Sequence, residues 1–548
     1  MKQDKLQTDA GRRRFIAASL AMSAAAALPF SGYARQPAPR STGIGGDDKK
    51  YDYIIIGAGS AGSVVTRRLV DAGLKVLLLE AGPRDDMPAI HNPPEAMALW
   101  HSAVDWGFST QPQIYAGKQD IYWPRGKTLG GSSSINGMMY VRGLPADYDN
   151  WAAMGATGWS WKDVLPYFRK AENCNIDGLS NLHATGGLLQ VSRPAMTPLA
   201  HAFVEAGQQA GLRRVQDYND GQDSTGVSFP QYTMTPDGKR ASAWVCYGDA
   251  IRGADNLSVI TEARVLKLLN QGDHITGVHF VHRGTDYRIE ARHEVLLCAG
   301  SLMSPSILLH SGIGPAEQLE KMGIKTLVNL PGVGENLHDH LVCPMVWSSP
   351  QPVAVGLASG IEAQIFHKSA PALSAPDTQS LLFTMPFMPG VTQGYTVTPG
   401  LVRPISRGRL WLNSLDPLQP PLMDPRVYSE DQDLEVMTDK ALLLREVMKQ
   451  TALAPWRGKE MGMEGVNNRD KMRDYIRRMT ASYHHQVGTA RMGTDNMAVV
   501  DPQLRVHGLS GLRVIDASVM PVIPTGNTNA PSIMIGEKAA DMILSSKA

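Results

Sequence analysis

Tyr51-Asp52-Tyr53-Ile54-Ile55-Ile56 runs straight into Gly57-Ala58-Gly59-Ser60-Ala61-Gly62. The first six residues read as a short strand, and Val64, Val65, Leu69 and Val70 follow the glycines at helical spacing. A second strand, Lys75-Val76-Leu77-Leu78-Leu79, ends at Glu80 and Ala81. Strand, Gly-x-Gly-x-x-Gly, helix, strand and acid, in that order within about 30 residues, form the pattern of a dinucleotide-binding βαβ unit. Gly57 permits the tight turn, and Gly59 lets a pyrophosphate approach the backbone where Ser60 and Ala61 open the helix. Gly62 lets helix and strand pack closely. Glu80 is set to accept hydrogen bonds from both hydroxyls of an adenosine ribose. The unit by itself does not separate NAD from FAD.

Three further segments do. Gly126-Lys127-Thr128-Leu129-Gly130-Gly131-Ser132-Ser133-Ser134-Ile135-Asn136-Gly137 continues through Met138 into Tyr140-Val141-Arg142-Gly143. This stretch resembles the first signature of the glucose-methanol-choline (GMC) flavin oxidoreductases. Gly300-Ser301-Leu302-Met303-Ser304-Pro305-Ser306-Ile307-Leu308-Leu309-His310-Ser311-Gly312-Ile313-Gly314 resembles their second signature, and the likeness runs on to Asn527-Thr528-Asn529. The resemblance implies an α/β fold, with a doubly wound FAD-binding domain and a second substrate domain built on an antiparallel sheet. It divides the chain into an FAD-binding domain with lid segments over 51–340, a substrate-binding domain over 341–480 and a C-terminal FAD-binding and catalytic segment over 481–548. Its implied cofactor contacts, beyond the glycine turn, Glu80 and Ala81, are Gly130, Ser132, Asn136, Gly137, Met138, Val265, Asp516, Ala517, Asn527 and Thr528. Some relatives attach FAD through a histidine just before that asparagine. Ile135 stands there instead, so the flavin is expected to be non-covalent.

The reaction implied is oxidation of an alcohol, of the primary class, to the aldehyde by hydride transfer to flavin N5. A lyase or decarboxylase of the same fold, keeping FAD without net redox turnover, is the alternative. Tyr483-His484-His485-Gln486-Val487-Gly488-Thr489 resembles the family's catalytic segment, and counting back from Val487-Gly488-Thr489 puts the base at His485, with His484 its rival. An alcohol gives up hydride readily only once a base takes its hydroxyl proton, and an imidazole suits that task near neutral pH. The second catalytic position maps to Asn529, which also reads as the N-cap of the helical run Ile533, Met534, Ile535, Ala539, Ala540 and Ile543. Phe383, Met385, Phe387 and Met388 are read either as core or as the lining of an apolar cavity. Lining would favour alcohols with aromatic or aliphatic bodies over sugars or choline.

The 548 residues exceed what one core usually organises, which agrees with two joined domains. A hydrophobic fraction of 43%, with 53 Gly and 36 Pro, suits a loop-rich globular enzyme and excludes a disordered or fibrous chain. Residues 1–34 hold five Lys/Arg against two Asp/Glu, leaving 48 against 50 elsewhere, so nothing points to nucleic acid. Arg12-Arg13-Arg14-Phe15-Ile16 and the apolar run after it resemble a twin-arginine signal peptide over 1–34, followed by a linker over 35–50. A periplasmic enzyme with no stable membrane anchor is expected. The electron acceptor, whether oxygen, a quinone or a cytochrome, is open. Cys174, Cys246, Cys298 and Cys343 form no Cys-x-x-Cys pair and are given no role. His338-Asp339-His340 makes a poor ligand set, so no metal is expected.

Overall fold

In the computed structural model residues 51–546 are described; the signal and linker readings fall outside them. The first strand, β1 (Tyr51–Ile56), is followed by helix α1 (Ser60–Asp71) and strand β2 (Val76–Leu79). Four more strands follow: β3 (Leu257–Ile260), β4 (Ala263–Gln271), β5 (His274–His282) and β6 (Thr285–Leu297). Among the described residues they join one seven-stranded sheet in the order β3-β2-β1-β6-β5-β4.

β6 explains how one sheet holds two styles of pairing. Its last residues, Val295 to Leu297, are buried on both faces and pair in parallel with β1. Its first half alternates towards exposure and pairs antiparallel with β5. Continuous burial suits a parallel strand covered by helices, and alternation suits an antiparallel one wetted on one side. Helix α2 (Gly300–His310) leaves the end of β6 as α1 leaves the end of β1, so the crevice between these two neighbouring strand ends is where such sheets bind their ligands.

The second sheet contains β7 (Leu341–Val342), β8 (Met345–Ser348), β9 (Ile361–His367), β10 (Thr378–Phe383), β11 (Gly394–Thr398) and β12 (Gly400–Leu401). Its named pairings are antiparallel. Gly226–Ser228, from within the stretch assigned to FAD binding, pairs with β9 and belongs to this sheet. β13 (Ala481–Ser482) closes its other side against β7. The chain then returns to the first sheet as β14 (Leu512–Val514), parallel to β6, and ends in helix α3 (Asn529–Ser545). α3 lies against α1, held by the paired bonds from Arg68 to Glu537 at 2.7 and 2.8 Å. Gly536 lets the helices approach, since a Cβ there would stand 2.9 Å from the Ala61 carbonyl oxygen.

All four cysteines are free thiols, with Cys298 and Cys343 buried. Among the described residues no helix is long and apolar enough to cross a membrane.

Candidate active site

The glycine turn has the three-way division of labour that its sequence suggests. Gly57 has φ +98°, and a Cβ there would meet the Cys298 carbonyl oxygen at 2.5 Å. A Cβ on Gly62 would stand 2.0 Å from the Gly57 oxygen, whereas one on Gly59 meets nothing within 4 Å. So Gly57 and Gly62 are required by the protein's own packing, and Gly59 leaves space open at the start of α1. No side chain caps that helix, which leaves its first N–H groups and positive end for an anion. Ser60 and Ala61 form its first turn.

Glu80 is buried at the end of β2, with Oε2 accepting from the Ala58 N–H (2.9 Å) and Oε1 from Gly82 (2.8 Å). Burial raises its pKa to about 7, against the pull of those N–H groups. Ala81 follows directly. The Ala263 N–H donates to the Glu80 carbonyl, which brings the start of β4, and with it buried Val265, beside this end of β2.

The loop from Gly130 to Met138 closes over the turn. The Gly130 N–H donates to Ala58, and a Cβ on Gly131 would lie 2.7 Å from the Gly59 Cα. Ser132 accepts from the Gly126 N–H, and Gly137 accepts from the Ser359 hydroxyl at 2.9 Å. Asn136 Oδ1 accepts from the N–H of Met138, a residue in the left-handed region at φ +60°. Ile135 is buried with Ile90, Leu99 and Val104. Asp516, buried, accepts from Gly300 N–H (2.9 Å), the Ser304 hydroxyl and Ser518 N–H (2.8 Å), so it ties β14 to the start of α2. Ala517 follows it into a short turn of helix.

His485 is buried, 9% exposed, with both ring nitrogens engaged. Nδ1 lies 3.0 Å from His340 Nδ1, and Nε2 lies 3.1 Å from Asn527 Nδ2. The other end of the Asn527 amide, Oδ1, accepts from Gln379 Nε2 on β10 at 3.3 Å, which turns its nitrogen towards the histidine. An amide N–H at Nε2 makes that nitrogen the acceptor and places the ring proton on Nδ1, shared with His340. The Tyr483 ring stacks on His485 with centroids 5.0 Å apart. Burial, with the neighbouring His340, Arg125 and His484, pushes the His485 pKa well below the ordinary value.

The hydrogen bond to His485 comes from Asn527 and not from Asn529. Asn529 is the first residue of α3, and its Oδ1 accepts from the Ser60 hydroxyl at 2.7 Å, on the cofactor side. Thr528, not Asn529, stands at the N-cap. The two asparagines therefore exchange their expected places. The helix starts at Asn529 and turns that side chain back onto α1, while Asn527 still lies in the irregular run after Gly526 (φ +101°). His484 also parts from His485: with φ +67°, its ring meets Trp100 edge-on at 5.0 Å. Arg125 donates to its carbonyl oxygen.

His338-Asp339-His340, read from sequence only as a poor set of metal ligands, is the support of the base. Backbone bonds run it alongside Tyr483 to Val487. Asp339 Oδ1 accepts the His485 N–H at 2.7 Å, and Oδ2 accepts from the Ser482 hydroxyl and from Gln486 Nε2 (2.8 Å). Burial raises the Asp339 pKa to about 6, and lowers that of His340 to about 3. His338 faces elsewhere, its Nε2 accepting the Ile523 N–H. The signal for these residues was the triplet itself, polar side chains packed into an otherwise apolar neighbourhood. Gln379, on β10, had none.

Glu172, Cys174 and His183 form the one triplet among the described residues whose ligand atoms lie within 4.8 Å of one another. Arg142 donates to the same Glu172 carboxylate at 2.6 Å, and His183 bridges Glu172 and Asp217. This is an ion-pair network, with two cations already on its carboxylates.

Comparison with known proteins gives the family. GMC oxidoreductase profiles match residues 51–342 and 404–536. An oxygen-dependent choline dehydrogenase of Pseudomonas syringae pv. tomato is 41% identical, over 90% of this chain and 93% of its own length. The crystal structure of pyridoxine 4-oxidase from Mesorbium loti is 32% identical with a TM-score of 0.86, covering 90% of this chain and 99% of the other. A fungal aryl-alcohol oxidase is 25% identical with a TM-score of 0.80, covering 91% and 99%. GMC oxidoreductases use FAD, and the open space at Gly59, the uncapped α1 and the close-packed loop fit it. The chain belongs to the GMC oxidoreductase family and is an FAD-dependent oxidoreductase that acts on CH–OH donors.

Proposed function

We propose that the enzyme oxidises a neutral primary alcohol with an apolar body, with His485 as the base and FAD held non-covalently. The observation that carries this is the line Gln379–Asn527–His485–His340, which leaves His485 neutral with its Nε2 lone pair on the Asn527 amide, where a substrate hydroxyl can replace it. FAD, when bound, supplies the hydride acceptor. His485 Nε2 takes the hydroxyl proton, Asn527 yields its N–H from Nε2 to hold the substrate oxygen, and His340 accepts from Nδ1 as the ring becomes charged. Ile135, an apolar side chain packed with Ile90, Leu99 and Val104, has no group to bond a flavin and so supports one held without a covalent link.

The wall beside Tyr483 is apolar, made by Met139, Val342, Ile361, Leu381 and Phe383, and suits a neutral body. Phe383 is half-buried, as are Met385, Phe387 and Met388 beyond it, so that run is neither core nor solvent-exposed surface. A quaternary cation is held by aromatic faces, helped by a carboxylate where one is free. Asp339 is occupied by three donors. Glu362, buried next along β9 from Ile361, accepts from Thr197 N–H through Oε2, while its Oε1 has no hydrogen-bond partner among the described residues and is the one carboxylate oxygen a cationic competitor could use. Choline is the competing substrate, favoured by the relatives' names. Anaerobic flavin bleaching by benzyl alcohol, aliphatic primary alcohols and choline decides. Faster reduction by a neutral alcohol is expected, and reduction by choline at ten times the efficiency of any neutral alcohol overturns the reading.

The same proposal includes export through Arg12-Arg13. Lysine at both positions should leave activity in the cytoplasm, and undiminished periplasmic activity would refute it. Acid precipitation should release the flavin into the supernatant, whereas a yellow pellet means a covalent bond.

A further inference from the structure

Arg240 lies 1% exposed beneath the Gly130–Met138 loop. Its Nε donates to the Ile90 carbonyl at 2.7 Å. Its Nη1 donates to the Ser133 carbonyl (3.2 Å), the Asn136 carbonyl (2.7 Å) and Asn136 Oδ1 (2.9 Å). Every partner is a neutral oxygen. Among the described residues Nη2 has no hydrogen-bond partner, and no carboxylate pairs with the guanidinium. Burial draws its pKa down to about 9, which still leaves the group charged at neutral pH.

An unpaired buried cation is costly, and proteins seldom keep one unless a counter-charge arrives. Here the loop above it is the one that closes on the glycine turn, through Gly130 to Ala58 and Gly131 against Gly59. FAD brings a pyrophosphate and, once reduced, a further negative charge. A second observation concerns orientation. Asn136 Oδ1 is taken by both Arg240 and the Met138 N–H, so the amide nitrogen is turned the other way, and among the described residues it has no protein partner.

We infer that Arg240 is a positioning residue of the cofactor site. It fixes the Asn136 amide with its nitrogen towards FAD, and lends an uncompensated positive charge that holds the anionic cofactor and favours its reduced form. The inference rests on the FAD site alone and is independent of which alcohol is oxidised.

Arg240→Gln, Arg240→Lys and Asn136→Asp holoenzymes test it. Arg240→Gln should raise the FAD dissociation constant about 10- to 100-fold, read as fluorescence on dilution, and make the flavin midpoint potential more negative in a dye-coupled reductive titration. Arg240→Lys keeps the charge and should hold the potential near wild type while binding FAD less tightly. A potential and affinity unchanged in Arg240→Gln would reduce Arg240 to a loop clamp and overturn the inference. Should Arg240→Gln fail to fold, Asn136→Asp decides: its carboxylate keeps both accepted bonds but cancels the charge. A more negative potential then supports the inference, and an unchanged one overturns it.

Discussion

The side-chain amide of Asn527 lies 3.1 Å from His485 Nε2, and its oxygen accepts from Gln379 on β10. Asn529, two residues on, bonds Ser60. Replacing the two in turn separates their roles. Asn527→Ala should slow anaerobic flavin reduction about 10- to 100-fold with FAD retained, because the substrate oxygen loses its donor. Asn529→Ala should act first on FAD retention. The reverse pattern in rapid-mixing and flavin-content measurements would return the catalytic role to Asn529.

His485→Ala should keep FAD, since the glycine turn and Glu80 are untouched, and reduce flavin about 10²- to 10⁴-fold more slowly. His484→Ala should lose less than about tenfold, because its ring is packed on Trp100 and away from Asn527. A larger loss in His484→Ala would mean that the neighbour is the base.

The pH profile follows from the same burial. Only the unprotonated imidazole accepts a proton, and His485 is held well below its ordinary pKa by burial and by the nearby His340, Arg125 and His484. The rate of flavin reduction should therefore stay level from about pH 8 down through 6.5, the free imidazole value, and fall only in more acid solution. A half-maximal point near 7 would contradict this. For stability the sign runs the same way: histidines 338, 340, 484 and 485 are all lowered by burial, so the unfolded chain takes up their protons first. Their contribution is complete above about 6.5 and is lost as pH falls below it. Asp339 and Glu80, raised by burial to about 6 and about 7, oppose that loss in part. Denaturant midpoints at pH 7.5 and 5.5 measure the balance, with the lower pH expected to be weaker.

Gly59→Ala and Gly62→Ala should fail differently. Alanine at 62 drives a Cβ to 2.0 Å from a backbone oxygen and should block folding. Alanine at 59, where φ is −75°, should leave apoprotein stability within about 1 kcal/mol, yet exclude FAD from the space it fills. Thermal melts with and without added FAD distinguish them: only the Gly59→Ala protein should melt normally and show no shift with the cofactor.

The cofactor half was legible because its signals are local. Gly57, Gly59 and Gly62 stand at a fixed spacing between β1 and α1, and that spacing alone marks the turn, although Gly57 packs against Cys298 far along the chain. The catalytic half depends on where α3 begins. Asn527 and Asn529 share residue type and surroundings in sequence, and only the onset of helix at 529 sends one to Ser60 and leaves the other by His485. Asp339, His340, Gln379 and Arg240 escaped for a related reason. Each acts on a residue more than one hundred positions away, across elements whose pairing no periodicity reports.

The pairing of the chain's first helix with its last has a consequence for synthesis. β1 and α1 are among the first described elements to leave the ribosome, yet Ser60 and Arg68 wait 469 residues for Asn529 and Glu537. β14, which completes one flank of the parallel sheet, also emerges late. A nascent chain halted before residue 512 holds the whole glycine turn and His485, but not β14, Asn527 or α3. Stable capture of the flavin is therefore a late event, completed after translation, and any partner that shields the unfinished sheet must act over almost the full length of synthesis.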